Sequence, residues 1–284
     1  MATYNHSYQG RLALITGGSS GIGLALAQLL AREGTNVWLL ARHKDTLETA
    51  LKSLPTQGDQ RHGIAVADVS NWEQLHTTVQ RITREAGLPD LLINSAGITE
   101  PGYVQDIPAE TFREIMDINY LGTVHTTKAV LPGMLERGSG HIINISSAGG
   151  FITGPGYAAY SPSKFAVRGF SDALRAEVKP RGLRVSLVYP PNTDTPQRAY
   201  EVSRQSPEVH NVDENAGLGP WKFGTLPVSQ VAEEILQGVK RERYVILPGS
   251  GNRVLYRLIS LLGDFAYNIV DDEWNAARRK AGKG

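Results

Sequence analysis

The chain of 284 residues contains no cysteine, which removes disulfides, thiolate metal sites and cysteine nucleophiles, and no metal site is expected. An excess of one charge is also missing. Twenty-nine basic side chains face 28 acidic ones, a net charge of +1, so there is no electrostatic footprint for nucleic acid. No stretch approaches the ~20 uninterrupted apolar residues of a membrane-spanning helix. Met1 to Gln9 is polar and lacks the apolar core of a signal peptide. Together with the lack of cysteine, this makes a reducing, cytoplasmic location the expectation. Low-complexity runs, repeats and interdomain linkers are absent as well. What is present, 41% hydrophobic and 20% charged residues, suffices for one large α/β domain whose core needs no staples.

Short apolar runs alternate with helical patterns along most of the chain. Strands are predicted at Leu12 to Ile15, Val37 to Leu40, Ile64 to Val66, Leu91 to Ile93, His141 to Ile145, Val185 to Val188 and Tyr244 to Leu247. Helical spacing appears from Ile22 to Arg32 and roughly over 71–86, 109–135, 161–178 and 228–239. Seven apolar strands separated by helices predict a single Rossmann-like, doubly wound parallel sheet with helices on both faces. The expected organisation is a polar extension over 1–9, the domain over 10–251 and an amphipathic tail over 252–284. Residues 196–226 look polar and irregular. Their place after the sixth strand sets them over the edge of the sheet where ligands bind, so they are expected to form a lid carrying Tyr200, Trp221 and Phe223 as aromatic anchors.

Between the first strand and the first helix lies Thr16-Gly17-Gly18-Ser19-Ser20-Gly21-Ile22-Gly23. Gly17, Gly21 and Gly23 permit a tight turn, close approach of backbone to phosphate and close packing of helix on strand. The N–H groups that open the helix, with its dipole, then favour a dinucleotide pyrophosphate beside Ser19, Ser20 and Ile22. The second strand ends in Leu40-Ala41-Arg42-His43, with no carboxylate to accept from a ribose 2′-hydroxyl. Arg42 suits a 2′-phosphate instead, so NADPH is the expected cofactor.

Further along, Ser147 precedes Tyr160-Ser161-Pro162-Ser163-Lys164. A Tyr-x-x-x-Lys match is weak on its own in a chain with 11 tyrosines. On a helix, however, positions i and i+4 share a face. An ammonium beside a phenol lowers its pKa toward the range of a general acid/base, and Ser147 is placed to hydrogen-bond a substrate oxygen.

These pieces, together with Asp68-Val69, Asn94-Ser95-Ala96-Gly97, Asn119 and Pro190 to Thr195, make the chain resemble the short-chain dehydrogenase/reductase family over nearly its whole length. The resemblance implies that Tyr160 gives a proton to a carbonyl while the cofactor delivers hydride. Lys164 would tune the tyrosine and bind the nicotinamide ribose, and Ser147 would orient the substrate. Asn119 would hold a water linking Lys164 to solvent, Asp68 and Val69 would sit by the adenine, and Asn94, Ala96 and Gly97 would line the cofactor. Pro190, Thr193 and Thr195 would border the nicotinamide carboxamide.

The segments Ala159 to Phe170, Glu177 to Pro180 and Tyr189 to Pro196 are similar, within that family, to 3-ketodihydrosphingosine reductases. Pro191 is the telling position: most of the family has glycine there, and proline removes an N–H and fixes φ. Ser95, usually Asn or Cys in the family, is a departure expected to matter little. The implied substrate is a hydrophobic ketone, a long-chain sphingoid base. A steroid, a β-ketoacyl thioester or a small ketone is the alternative, and a non-catalytic cofactor-binding sensor or scaffold is the alternative of another class. The tail from Val254 to Val270 is apolar but interrupted by Arg257 and Asp264. Two readings stay open for it. It lies in a membrane interface with Arg278, Arg279, Lys280 and Lys283 on anionic headgroups, or it packs on the domain or a partner subunit. The family resemblance also implies a homodimer or homotetramer built on the helices near 109–135 and 161–178.

Overall fold

In the computed structural model the described residues are 7–215, 217–218, 221–222, 224–263 and 265–280. Most of the expected extension over 1–9, together with Phe223, Asp264 and Lys283, lies outside them, as do the side chains of Trp221, Arg278 and Lys280.

The alternating pattern folds as β1 (Leu12–Thr16), α1 (Gly21–Arg32), β2 (Asn36–Ala41), α2 (Lys44–Lys52), β3 (Gly63–Val66), α3 (Trp72–Ala86) and β4 (Leu91–Asn94). A second run follows: α4 (Ala109–Ile115), α5 (Gly122–Arg137), β5 (Gly140–Ile145), α6 (Ser161–Val178) and β6 (Leu183–Val188). The lid region holds α7 (Pro196–Arg204), α8 (Pro207–Asn215) and a two-strand hairpin, β7 (Gly217–Leu218) with β8 (Trp221–Lys222). The chain closes with α9 (Val228–Lys240), β9 (Val245–Ile246), α10 (Ser250–Leu262) and α11 (Phe265–Lys280).

Seven strands form one parallel sheet in the order β3-β2-β1-β4-β5-β6-β9. Alternation along β1 shows how its two faces are filled. Ala13 and Ile15 pack against Leu26 and Leu30 of α1 and Val231 and Ile235 of α9, whereas Leu14 packs with Leu75 and Val79 of α3 and Met134 of α5. Strand order reverses between β1 and β4, so the crevice at their C-terminal ends is the natural ligand site of such a sheet.

The expected helix over 109–135 is not uniform: α4 and α5 are joined by a π-helical turn, Met116–Leu121, which carries Asn119. Such widened turns displace one residue from the regular ladder and are common at functional sites. The lid also departs from the irregular segment expected over 196–226. Thr195 caps α7 by accepting from the Arg198 N–H at 3.2 Å, and Pro196 and Pro207 occupy the first positions of α7 and α8. Those start signals outweigh the polar composition.

In the tail, α10 packs on the domain. Leu255, Tyr256 and Ile259 meet Phe151 and Tyr189, and the Phe151 ring stands edge-on to Tyr189 at 5.2 Å and to Tyr256 at 5.1 Å. Buried Asn252 donates to the Tyr189 carbonyl at 2.6 Å, fixing the start of the helix. Among the described residues no helix is long and apolar enough to cross a membrane.

Candidate active site

Backbone constraints set the first wall of the site. Thr16 Oγ1, at the end of β1, accepts from the N–H groups of Ser95 at 3.1 Å and Ala96 at 3.2 Å, drawing the loop after β4 against the glycine turn. Gly17 has φ +64°, and a Cβ there would lie 2.8 Å from the Ala96 nitrogen. A Cβ on Gly23 would lie 2.5 Å from the Gly17 carbonyl oxygen. No side chain fits at either position. Ser20 stands in extended backbone before α1 without capping it through its side chain, so the first amides of α1 face the cavity with the positive end of the dipole. This cradle fits a dinucleotide pyrophosphate, with Ser19, Ser20, Gly21 and Ile22 on its surface.

One large cavity of about 690 Å³ continues from that turn across the C-terminal edge of the sheet. At one end lie Arg42, exposed at the end of β2, and Asp68, whose Oδ1 accepts from the Ser70 N–H at 2.8 Å and hydroxyl at 2.7 Å. Val69, Ala96 and Gly97 line the middle.

At the other end, Ser147 leaves β5 and Tyr160 begins α6, with Lys164 one turn further along. The side chains of Ser147 and Gln197 approach the Tyr160 hydroxyl and favour its ionised form, a smaller effect than burial. Lys164 Nζ donates to the Ile145 carbonyl at 3.1 Å and stands 5.6 Å from the centre of the Tyr160 ring. Burial, reinforced by the Glu201 carboxylate, raises the Tyr160 phenol far above its ordinary range. Burial also pushes Lys164 down to about 8, opposed by Glu201. The expected lowering of the phenol by its lysine neighbour is therefore not what the protein alone displays. Desolvation dominates, and the ammonium sits over the ring face and is turned toward Ile145. The consequence is a phenol fully protonated at neutral pH, the state a proton donor needs.

The loop after β6 closes this end. The Ala148 N–H donates to the Pro190 carbonyl at 2.9 Å, tying the serine turn to the proline loop. Thr193 Oγ1 donates to the Pro191 carbonyl at 2.7 Å and Thr195 Oγ1 to the Thr193 carbonyl at 3.2 Å, and Pro190, Thr193 and Thr195 all border the cavity.

Three expected site residues stand behind the wall. Gly23 packs against Gly17 inside the turn. Asn94 is buried and donates to Asn144 Oδ1 at 2.8 Å and Thr127 Oγ1 at 3.2 Å, so it locks β4 to β5 and α5. Asn119 is fully buried; its amide accepts from the Ile98 N–H at 2.8 Å and donates to the Ile98 carbonyl and Ser163 Oγ, each at 2.9 Å. Its side chain is thereby committed to protein partners.

Sequence reasoning missed the lid residues on the wall. Gln197, Arg198 and Glu201 reach the cavity from α7, and Ile152, Val209, Leu255, Leu258, Ile259 and Leu262 give it an apolar flank. The Thr195-Pro196 pair was the available signal, since it marks a helix start and places 197 and 201 on one face.

A family profile described as short chain dehydrogenase matches residues 11–206. The 3-ketodihydrosphingosine reductase of Bos taurus is 34% identical over 88% of this chain and 74% of its own length, and that of Dictyostelium discoideum is 33% identical over 93% and 82%. A 3-dehydrosphinganine reductase of Danio rerio is 36% identical over 74% of this chain and 64% of its own length. Among solved structures, an actinorhodin polyketide ketoreductase with NADPH superposes with a TM-score of 0.74 at 32% identity, covering 88% of this chain and 98% of that one.

Proposed function

This chain belongs to the short-chain dehydrogenase family, and from that premise we propose that it is an NADPH-dependent reductase of the 3-keto group of 3-ketodihydrosphingosine. The observation that carries the reading is the junction of three surfaces in one cavity: the glycine-turn amides, the Ser147–Tyr160–Lys164 cluster and the apolar flank from α8 and α10. A cofactor cradle beside a protonated phenol supports ketone reduction, and the apolar flank supports a long alkyl substrate. The sphingoid-base substrate is taken from the names of the relatives and from the shared Pro190-Pro191 loop.

When bound, the nicotinamide supplies hydride to the carbonyl carbon. Ser147 and Tyr160 hold the carbonyl oxygen between their hydroxyls, and Tyr160 passes its proton to that oxygen as negative charge builds on it. In this reading Lys164 in its ammonium form holds the ribose and offsets the charge left on the phenol. Gln197 borders the cavity from the lid and acts on the same hydroxyl. Support for NADPH over NADH is Arg42 at the end of β2, beside Ala41, which has no carboxylate to bind a free 2′-hydroxyl. A homodimer or homotetramer through the α4–α6 surface, where Leu121 and Phe165 are exposed, belongs to the same reading. So does contact of the tail with a membrane surface, since Leu261, Phe265 and Tyr267 are exposed there.

The test is nicotinamide absorbance loss with purified protein and 3-ketodihydrosphingosine in detergent micelles, NADPH and NADH run in parallel. Turnover favouring NADPH is the expected result. Tight NADPH binding without turnover of this ketone removes the sphingoid substrate.

A further inference from the structure

We propose that the cleft between α9, β9 and α10 is a second ligand site, outside the catalytic cavity, and that the group it takes is a phosphate. The cleft has a volume of about 330 Å³ and lies where α10 packs beside β9, the edge strand of the sheet. Its lining residues are all distinct from those of the catalytic cavity, so the inference stands apart from any choice of ketone. That volume is at the lower end of small-ligand pockets, roughly 300–1,000 Å³.

Charge is what distinguishes the cleft. Arg241, Arg243, Arg253 and Arg257 border it, and among the described residues lining it the one carboxylate is Glu234. This happens in a chain whose net charge is only +1. Glu234 is already engaged: its Oε2 accepts from Arg253 Nη1 and from the Gly249 N–H, each at 2.9 Å, and its Oε1 accepts from Gln230 at 3.1 Å. Arg253 and Glu234 therefore answer each other. The side chains of Arg241, Arg243 and Arg257 have no hydrogen-bond or ion-pair partner among the described residues. The acid that separates two of them in sequence does not neutralise them. Glu242 has φ +53°, a left-handed position that helix ends usually give to glycine. Its carboxylate meets Arg184 Nε at 2.7 Å and is not part of the cleft wall.

Guanidinium groups gathered without acids repel one another, so the fitting ligand brings more than one negative charge and several acceptor oxygens. A phosphate monoester carries about −1.5 to −2 charges at pH 7 on three terminal oxygens, and arginine forks grip it in a bidentate way. A carboxylate brings one charge and two oxygens, enough for a single fork. The cations lining the cleft are all arginine, the side chain suited to such two-point contact. Val245, Leu247 and Tyr256 supply an apolar floor for carbon attached to the phosphate. The Tyr256 ring also stands 5.1 Å from Phe151 and 5.7 Å from Tyr189, so this floor backs onto the packing beside the proline loop. All four arginines are exposed, so binding should weaken as salt is raised.

The probes are glycerol 3-phosphate and vesicles of phosphatidylglycerol or phosphatidylcholine, applied to the full chain. Saturating nicotinamide dinucleotide keeps phosphate out of the glycine cradle. The expected result is saturable, salt-sensitive binding of the ester, with amide NMR shifts of the wild type clustered over 237–257. Affinity should fall about 10- to 100-fold in the double variant Arg243→Gln, Arg257→Gln. Arg81→Gln, on α3 and away from the cleft, should change it less than about twofold. Binding of the ester assigns a free phosphate. Sedimentation with phosphatidylglycerol but not phosphatidylcholine vesicles, lost in the double variant and without ester binding, assigns a lipid headgroup. Either outcome supports the site. It is overturned if neither probe binds, if the double variant binds as wild type does, or if the wild-type shifts lie outside the cleft.

Discussion

The two ends of the cavity are built by different means. Around the cofactor cradle the chain is held by backbone geometry: Gly17 at positive φ, Gly23 with no space for a Cβ, and the Thr16 hydroxyl joining two strand ends. Around the substrate flank it is held by side chains on helices that return from elsewhere in the sequence: Gln197 and Glu201 on α7, Val209 on α8, Leu255 and Leu258 on α10. The first construction tolerates few residues and serves any substrate. The second can be rebuilt residue by residue without disturbing the sheet. Changes at the cradle and the phenol should thus affect all turnover, whereas changes on the lid should affect the choice of substrate.

The sharpest test of that contrast is Tyr160→Phe. Removing the hydroxyl leaves the ring packing and the cradle intact, so turnover should fall by roughly 10²–10⁴-fold for every ketone. NADPH affinity by fluorescence titration should change little. A variant that kept its rate would place the proton donor elsewhere.

Arg42→Ala comes next. If its guanidinium pairs with a 2′-phosphate, its loss should lower kcat/KM for NADPH by about 10- to 100-fold, the worth of a charge-assisted contact. NADH use should change much less, and the shift should be the same for every ketone. A change that depended on the ketone would erase the distinction between the two ends.

The contrast also explains what could be read from the sequence. The cradle was legible because each glycine answers a local steric demand that spacing reveals, and six of the seven sheet strands were legible as short apolar runs before turns or helices. The edge strand β9, shortened to Val245–Ile246, was visible as an apolar run but not in extent. Asn94 and Asn119 were marked as site residues by family resemblance, which does not show which way their side chains point. Both side chains are buried and tie elements together. Gln197 and Glu201 were hidden in a segment with no apolar periodicity, since α7 turns a polar face toward a polar part of the cavity. The behaviour of Tyr160 and Lys164 was hidden for another reason. A Tyr-x-x-x-Lys spacing shows that the pair can meet, but only burial shows that desolvation outweighs their mutual effect.

Lys164 gives that last point a pH signature. Its folded-state pKa of about 8 is below its ordinary value, so the unfolded chain binds more protons once pH rises past about 8. The penalty for burying the ammonium is complete below pH 8 and is relieved as pH climbs toward the ordinary lysine range, so stability should increase in that window. Between pH 8 and about 9.5 the gain should reach at most ~2 kcal/mol, read as a few degrees in Tm of the cofactor-free protein. Above the ordinary tyrosine range the raised phenols of Tyr160, Tyr189 and Tyr244 act in the opposite sense. Lys164→Met should flatten the rise, and an unchanged profile in that variant would assign it to another group.

The smallest expected effect concerns the substrate flank. Leu258 lies on α10, partly buried, and borders the cavity together with Leu255 and Ile259. Leu258→Ala removes part of an apolar surface that a long alkyl chain would cover, at about 25 cal/mol for each Å² no longer shielded. For a half-buried leucine that is about 1 kcal/mol, a several-fold rise in KM. The dependence on substrate length matters more than the magnitude. If α10 touches the alkyl chain, the KM effect should grow as ketones are lengthened, with kcat nearly constant, because the contact is the same in ground and transition states. If α10 acts only by bracing Phe151 and Tyr189, through which it packs on the domain, the same substitution should lower kcat for short and long ketones alike. A length series with one variant therefore decides whether the tail helix is part of the substrate wall or only its support.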